Sequence, residues 1–162
     1  MRRLKSKTYD DLDYQIILAL HADARMPAAD IARKVGANER TVRKRIQRLI
    51  DTKAIRPTVI VEPDAFDYVT ATDIFLEVDP KWEQEIIARL LSMQNVSYLA
   101  YGQGTGEISI EARFKNNEEF RQFLAYTLPS INNLKVKGYA LVPRILKNLD
   151  DWLPKKEDFH IS

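Results

Sequence analysis

The chain has 162 residues, 45% apolar and 30% charged, with only five glycines and seven prolines, a composition that excludes wholesale disorder. It has no cysteine, which excludes disulfides, thiolate metal sites and a catalytic thiol. The basic start MRRLKSKTYD is followed by no apolar stretch, and no run of roughly 18 apolar residues occurs, so a cytoplasmic protein with no membrane segment is expected. The net charge of +2 hides an asymmetry. Residues 1–57 carry 14 Lys and Arg against 7 Asp and Glu, a net of +7, and residues 58–162 carry 11 against 16, a net of −5. Such a split suggests a cationic module for a polyanion joined to a module with other work to do.

Residues 10–22 place Leu12, Ile16, Ile17 and Leu20 at helical spacing, with Asp10, Asp11 and Asp13 near the positive end of the helix dipole. A second helix over about 27–35 opens on Pro27 and closes at Gly36, which can take positive φ. Asn38 can cap a third helix over about 39–51. On that helix Val42, Ile46, Leu49 and Ile50 share one face and Arg40, Lys44, Gln47 and Arg48 the opposite one, flanked by Thr41, Arg43 and Arg45. A short helix, a glycine turn and a basic helix form the helix-turn-helix pattern, whose last helix enters the major groove. Arg40, Lys44 and Arg48 are the main expected contacts to double-stranded DNA, supported by Thr41, Arg43, Arg45 and Gln47. Arg can pair bidentately with guanine, Gln with adenine, and the other cations with phosphates. Taken alone, a basic helix can equally be a solvated surface; its place after the second helix and glycine turn favours DNA.

The run DDLDYQIILALHADARMPAADIARKVGANERTVRKRIQRLIDTKAI resembles the N-terminal half of the Lrp/AsnC family of transcriptional regulators. It shares the opening Leu-Asp, the Asp-Ala-Arg before the second helix and the R-I-x-R-L of the third. Asn38 stands where the family usually has a Ser cap, and Thr52-Lys53-Ala54-Ile55 where it usually exits through a small residue and Gly.

Further along, IRPTVIVEP (55–63) reads as a short linking strand, with Pro57 favouring an edge position. Residues 69–78 read as a strand bearing Ile74, Leu76 and Val78. Asp79 and Pro80 then open a helix carrying Trp82, Ile86, Ile87, Leu90 and Leu91. Val96–Gly102 and the strictly alternating 108–114 form two more strands around the loop GQGTGE. Asn116 or Asn117 starts a helix with Phe120, Phe123, Leu124 and Leu128 that Pro129 ends, and a last strand spans about 134–142. The expected fold class is α+β: an N-terminal winged-type helix-turn-helix domain (1–54), a linker strand (55–66), a ferredoxin-like βαββαβ domain (67–146) and a C-terminal tail (147–162). One sheet face has no helices and needs covering, most simply by a second copy.

The resemblance implies that the second domain is the family's RAM domain, which dimerises and assembles further into tetramers or octamers. Gly104-Thr105-Gly106-Glu107 resembles the family's Gly-x-x-Asp loop. By position, Tyr101, Gln103, Gly104, Thr105, Gly106 and Glu107 would meet an amino-acid effector between dimers. Read from the residues alone, the loop joins two strands and lacks Gly-Lys-Ser/Thr, so it is a glycine-rich hairpin rather than a phosphate cradle.

Two other readings stay open. The tetrapyrrole decarboxylases of the sirohaem route resemble Lrp/AsnC proteins, but the only histidines are His21 and His160, and no paired carboxylates, Ser-His-Asp set or metal spacing appears. No enzyme activity, metal or cofactor is therefore expected. An architectural protein that wraps DNA without sequence preference would use the same basic face, and differs from a specific regulator only in its affinity ratio. The tail, with Trp152, Leu153 and Phe159, can pack on the sheet or on a neighbouring subunit.

Overall fold

The computed structural model describes residues 9–159; His160 and the basic start (1–8) lie outside the described residues. The chain divides into two compact units. One contains the described residues up to Ile60 together with those from Leu149, and the other spans Val61–Asn148. The last segment of the chain therefore belongs with the N-terminal unit, not with the domain that precedes it in sequence.

Among the described residues the first unit has three α-helices: α1 (Asp11–Ala22), α2 (Ala28–Val35) and α3 (Glu39–Asp51). Helix α1 begins with a reciprocal capping box. Asp13 N–H donates to Asp10 Oδ1 (3.1 Å) and Asp10 N–H to Asp13 Oδ2 (3.0 Å), satisfying two otherwise orphan donors. Ile16, Ile31, Val42 and Leu49 are fully buried between the helices, with Ala32 beside them. Of the segment expected as a linking strand, 55–63, residues 55–62 have no regular secondary structure and join no sheet among the described residues, and Pro63 already begins a 3₁₀ turn, Pro63–Phe66. The segment's β-branched residues favour a strand, but propensity is realised only against a partner.

The second unit is a four-stranded antiparallel sheet in the order β2-β3-β1-β4, from β1 (Thr70–Val78), β2 (Val96–Gly102), β3 (Glu107–Phe114) and β4 (Leu134–Leu141). Helices α4 (Glu83–Leu91) and α5 (Asn117–Gln122) complete the βαββαβ order of a ferredoxin-like fold. Thr72, Ile74, Leu76 and Val78 of β1 and Ile108, Ile110, Ala112 and Phe114 of β3 are buried, packing with Ile86, Leu90, Phe120 and Phe123 from the helical layer. Helix α4 starts later than Asp79-Pro80 suggests. Asp79 Oδ1 accepts from Lys81 N (2.9 Å) and its carbonyl from Trp82 N (2.9 Å), making a separate turn ahead of the helix. Nor does Pro129 stop α5 sharply: a π-helical turn (Phe123–Thr127) and a 3₁₀ turn (Leu128–Ser130) carry the chain past it.

Candidate nucleic-acid interface and ligand loop

Helix α3 is placed by its two flanks. Gly36 takes φ +66°, allowing Ala37 N–H to close back on Ala32 O (3.0 Å), and Asn38 Oδ1 then accepts from Arg40 N (2.8 Å) to begin α3. With Val42 and Leu49 locked into the core, Arg40, Thr41, Arg43, Lys44 and Gln47 are all exposed. Arg43 Nε donates to Glu39 Oε1 (2.9 Å) in a pair open to solvent, the kind that contributes little and exchanges readily for a phosphate. Gln47 Nε2 donates to Asp51 Oδ1 (2.8 Å). The side chains of Arg40 and Lys44 have no ion-pair or hydrogen-bond partner among the described residues.

Arg45 and Arg48 are placed differently from the other cations. Arg45 bridges Asp10 (2.7 Å) and Asp13 (3.0 Å), and Arg48 also donates to Asp13 Oδ2. Asp13 is completely buried, and the Arg45 and Arg48 side chains are 27% and 41% exposed against 67% for Arg43. Partial burial works against the Arg45 charge, but Asp10 and Asp13 outweigh it and raise its pKa further. Asp10 is likewise held below the ordinary carboxylate range: burial opposes the charge, while the Asp13 backbone N–H and Arg45 favour it more strongly. Among the described residues, Asp13 Oδ1 and Arg48 Nε are buried without a hydrogen-bond partner. These two arginines fasten α3 to α1. The expectation of Arg48 as a leading DNA contact did not allow for this competing attachment. Its sequence signal was Asp13 itself, an acid at i−3, i−4 and i−7 from Ile16, Ile17 and Leu20, on a face where a charge must be paired.

The loop expected to meet an effector is the β2–β3 hairpin. Gly104 and Gly106 take φ +84° and +71°. Thr105 Oγ1 donates to Gly102 O (3.1 Å) and accepts from Glu107 N (3.2 Å). Gly106 O accepts from Val78 N (2.8 Å), and a Cβ added at Gly106 would lie 2.8 Å from Val78 O. The backbone approach thus requires glycine at 106. Gln103, Gly104, Thr105 and Glu107 are exposed, whereas Gly106 is buried. Tyr101 OH donates to Glu83 Oε2 on α4 (2.6 Å), a bond that raises the phenol's pKa. Five of the six expected residues therefore cluster at the hairpin tip, while the Tyr101 hydroxyl is already engaged with α4. No group of three or more His, Asp or Glu able to hold a metal occurs among the described residues, and none of the described helices is long and apolar enough to cross a membrane.

Residues 10–50 match the AsnC-type helix-turn-helix domain. The HTH-type transcriptional regulator FL11 of Pyrococcus furiosus is 29% identical over 116 residues, 71% of this chain and 77% of that protein. A solved transcriptional regulatory protein of Pyrococcus furiosus, a member of the AsnC family, superposes with a TM-score of 0.73 at 26% identity, covering 87% of this chain and 94% of that one. A transcriptional regulator of Neisseria meningitidis, solved as a complex with L-methionine, superposes over 87% of this chain and 94% of that one with a TM-score of 0.79; at 17% identity it speaks for the fold alone. These relatives are regulators rather than enzymes, which removes the decarboxylase reading. With an AsnC-type helix-turn-helix in the first unit and the fold of these regulators in the second, the chain is a DNA-binding transcriptional regulator similar to those of the Lrp/AsnC type.

Proposed function

We propose that this regulator works as a dimer or a higher assembly of dimers, presenting Arg40, Thr41, Arg43, Lys44 and Gln47 of each α3 to the major groove. The observation that carries the reading is the division of cations on α3: Arg45 and Arg48 are attached to α1, while Arg40 and Lys44 stand exposed with no protein partner among the described residues. Lys44 fits a phosphate; Arg40 and Gln47 have the donors to read base edges.

Dimerisation is supported by the sheet face away from the helices. Ala100, Ser109, Phe75 and Gly138 form one row across β2, β3, β1 and β4, three small residues around an exposed phenylalanine. Such a row suits a second copy of the same sheet, and a two-fold dimer would bring two recognition helices to one duplex. Regulation by an amino acid at Gln103, Gly104, Thr105, Gly106 and Glu107 is supported by the exposed hairpin tip and by the L-methionine bound to the Neisseria protein of the same fold. Such a ligand acts only if it binds one assembly state better than another.

The deciding experiment mixes the purified protein with sheared genomic DNA at about 0.15 M salt, where nonspecific binding is weakened, and sequences what is retained. A few enriched sites sharing a two-fold motif are expected, lost on joint Arg40→Ala and Lys44→Ala substitution. Uniform retention would replace the specific regulator with an architectural protein, and unchanged enrichment by the double variant would reject this face of α3.

A further inference from the structure

The C-terminal segment packs on α1 through one buried aromatic side chain. Phe159 is only 5% exposed, with its ring 5.0 Å from Tyr14 and 6.4 Å from Tyr9, centroid to centroid. Around it, Lys156 Nζ lies 3.8 Å from Asp11 Oδ1, and His21 Nε2 lies 2.8 Å from the carbonyl oxygen of Asp150. The residues between are largely exposed, Trp152 among them. An open ion pair and a surface hydrogen bond contribute little, and Phe159 is the one side chain buried from this segment among the described residues.

The seat of Phe159 leads to the recognition helix. Tyr9, beside Phe159, hydrogen-bonds through its hydroxyl to Thr52 Oγ1 at the end of α3 (3.1 Å), and the Arg48 guanidinium lies over its ring, 5.8 Å from the centroid. Arg48 is also one of the two arginines that hold buried Asp13. A contiguous chain of contacts thus runs from Phe159 through Tyr9 and Arg48 to the α1–α3 junction. In sequence, only residues 142–148 separate the end of β4 from this segment. The chain therefore connects the second unit to the first twice, once after α3 and once after β4.

We propose that the segment from Leu149 to Phe159 is a strap on the DNA-binding unit: docked on α1, it holds α3 in its binding-competent placement, and its release lowers DNA affinity. Because only residues 142–148 join β4 to the strap, a change in the second unit has a covalent route to the recognition helix. The surface formed by Tyr9 and, on α1, Asp11, Tyr14 and His21 is the docking site, and its occupant is the chain's own C-terminal segment. The strap rests on the DNA-binding reading given above.

The test uses the full chain in a Trp82→Phe background, where Trp152 fluorescence reports the strap. Affinity is measured by anisotropy on a labelled duplex of about 30 base pairs cut from a retained genomic fragment, room for two half-sites. Phe159→Ala is expected to release the strap and weaken binding about tenfold, as the competent fraction falls to roughly one-tenth, with helical circular dichroism unchanged. Asp11→Cys with Lys156→Cys, joined by a short bis-maleimide, should hold the strap down and restore affinity to the Phe159→Ala chain; the absence of native cysteine leaves the reagent no other target. Released strap with unchanged affinity would overturn the proposal, as would failure of the cross-link to rescue. If Phe159→Ala loses helix content, Phe159→Leu decides, since it keeps an apolar side chain in the seat and removes only the ring contacts with Tyr14 and Tyr9. Weaker binding at full helix content then supports the strap, and unchanged binding with the strap released overturns it. Wild-type protein that binds no duplex would instead sink the DNA-binding reading, and the strap with it.

Discussion

The two units are held together by different means. The second has a continuous apolar layer of Ile, Leu, Val and Phe between sheet and helices, and its charges stay near the surface. Among the described residues, the first has a cluster of five buried apolar residues between its helices, with Phe159 buried apart from it, and a fully buried aspartate gripped by two arginines of the recognition helix. In the second unit, burial identifies the residues that hold the fold. In the first, charge must serve the fold and the ligand together. Arg45 and Arg48 accordingly pair with α1, while Arg40 on the same helix has no side-chain partner among the described residues.

The largest test of this contrast removes Asp13. Asp13→Ala removes the buried carboxylate that Arg45 and Arg48 share; Arg45 keeps Asp10 and both guanidiniums are partly exposed, so the cost is expected at about 3 kcal/mol, the low end for a broken buried pair. The loss is expected in the first unit alone, read by native-state hydrogen exchange of α1 and α3 against β1 and β3. Ile74→Ala, a large-to-small change in the apolar core, should cost about 2 to 5 kcal/mol and loosen only the second unit. Equal loosening of both units by either variant would show that the two do not unfold separately.

A smaller effect separates the arginines of α3 from each other. Arg40→Ala is expected to weaken DNA binding by about 1 to 3 kcal/mol while leaving thermal unfolding unchanged. Arg48→Ala should lower the unfolding temperature of the first unit, because Asp13 loses a partner and Tyr9 its guanidinium. Loss of DNA affinity by Arg48→Ala with no change in stability would put Arg48 on the DNA and overturn the division.

How much of this was legible in the sequence follows from the range of the interactions. Helix ends were legible because they are local: Asp10, Gly36 and Asn38 cap α1, α2 and α3 through bonds spanning a few residues. The βαββαβ order was legible because alternation along Ile108–Phe114 is set by the pleat. The aim of Arg45 and Arg48 was not. On a helical wheel Arg48 falls outside the apolar face, but its long side chain crosses to a carboxylate 35 residues earlier. The seating of Phe159 on Tyr14 spans most of the chain, and no periodicity encodes it. For 55–62 the signal was present and misleading, since β-branched residues signal strand wherever they occur, with or without a neighbour to pair. At the candidate site, residue types were legible, whereas the choice between the groove and the protein interior depended on α1.

Acid should expose the contrast more gently. The Asp10 carboxyl is held below its ordinary value of about 3.9, opposed by burial but favoured more by the Asp13 N–H and Arg45. A carboxyl whose folded pKa is depressed contributes stability above its unfolded pKa and loses it as pH falls through the folded one. The first unit is therefore expected to weaken from about pH 4 downward, and Asp10→Asn, which keeps a capping side chain but cannot titrate, should flatten that part of the profile. An unaltered profile in Asp10→Asn would assign the acid sensitivity to other carboxylates.

The smallest effect lies where α3 ends. Lys53 takes φ +59°, in the left-handed region, so that Ala54 N–H can reach Leu49 O (2.8 Å) and Ile55 can pack on the helical core. Most helices that end this way use glycine there, because a Cβ is disfavoured at positive φ. Lys53→Gly relieves that conformation but also gives the unfolded chain more freedom, and the two effects oppose each other. Relief is expected to win by about 0.5 to 1 kcal/mol, since the left-handed penalty for a residue with a Cβ is roughly 1 to 2 kcal/mol. The gain should appear as a higher unfolding midpoint of the first unit only. Lys53 also lies near the basic helix, so the same variant separates charge from conformation: Lys53→Ala removes the charge but keeps the strain, and should not be stabilised. If both variants stabilise equally, repulsion among cations is the dominant cost at this position, and the backbone conformation is not.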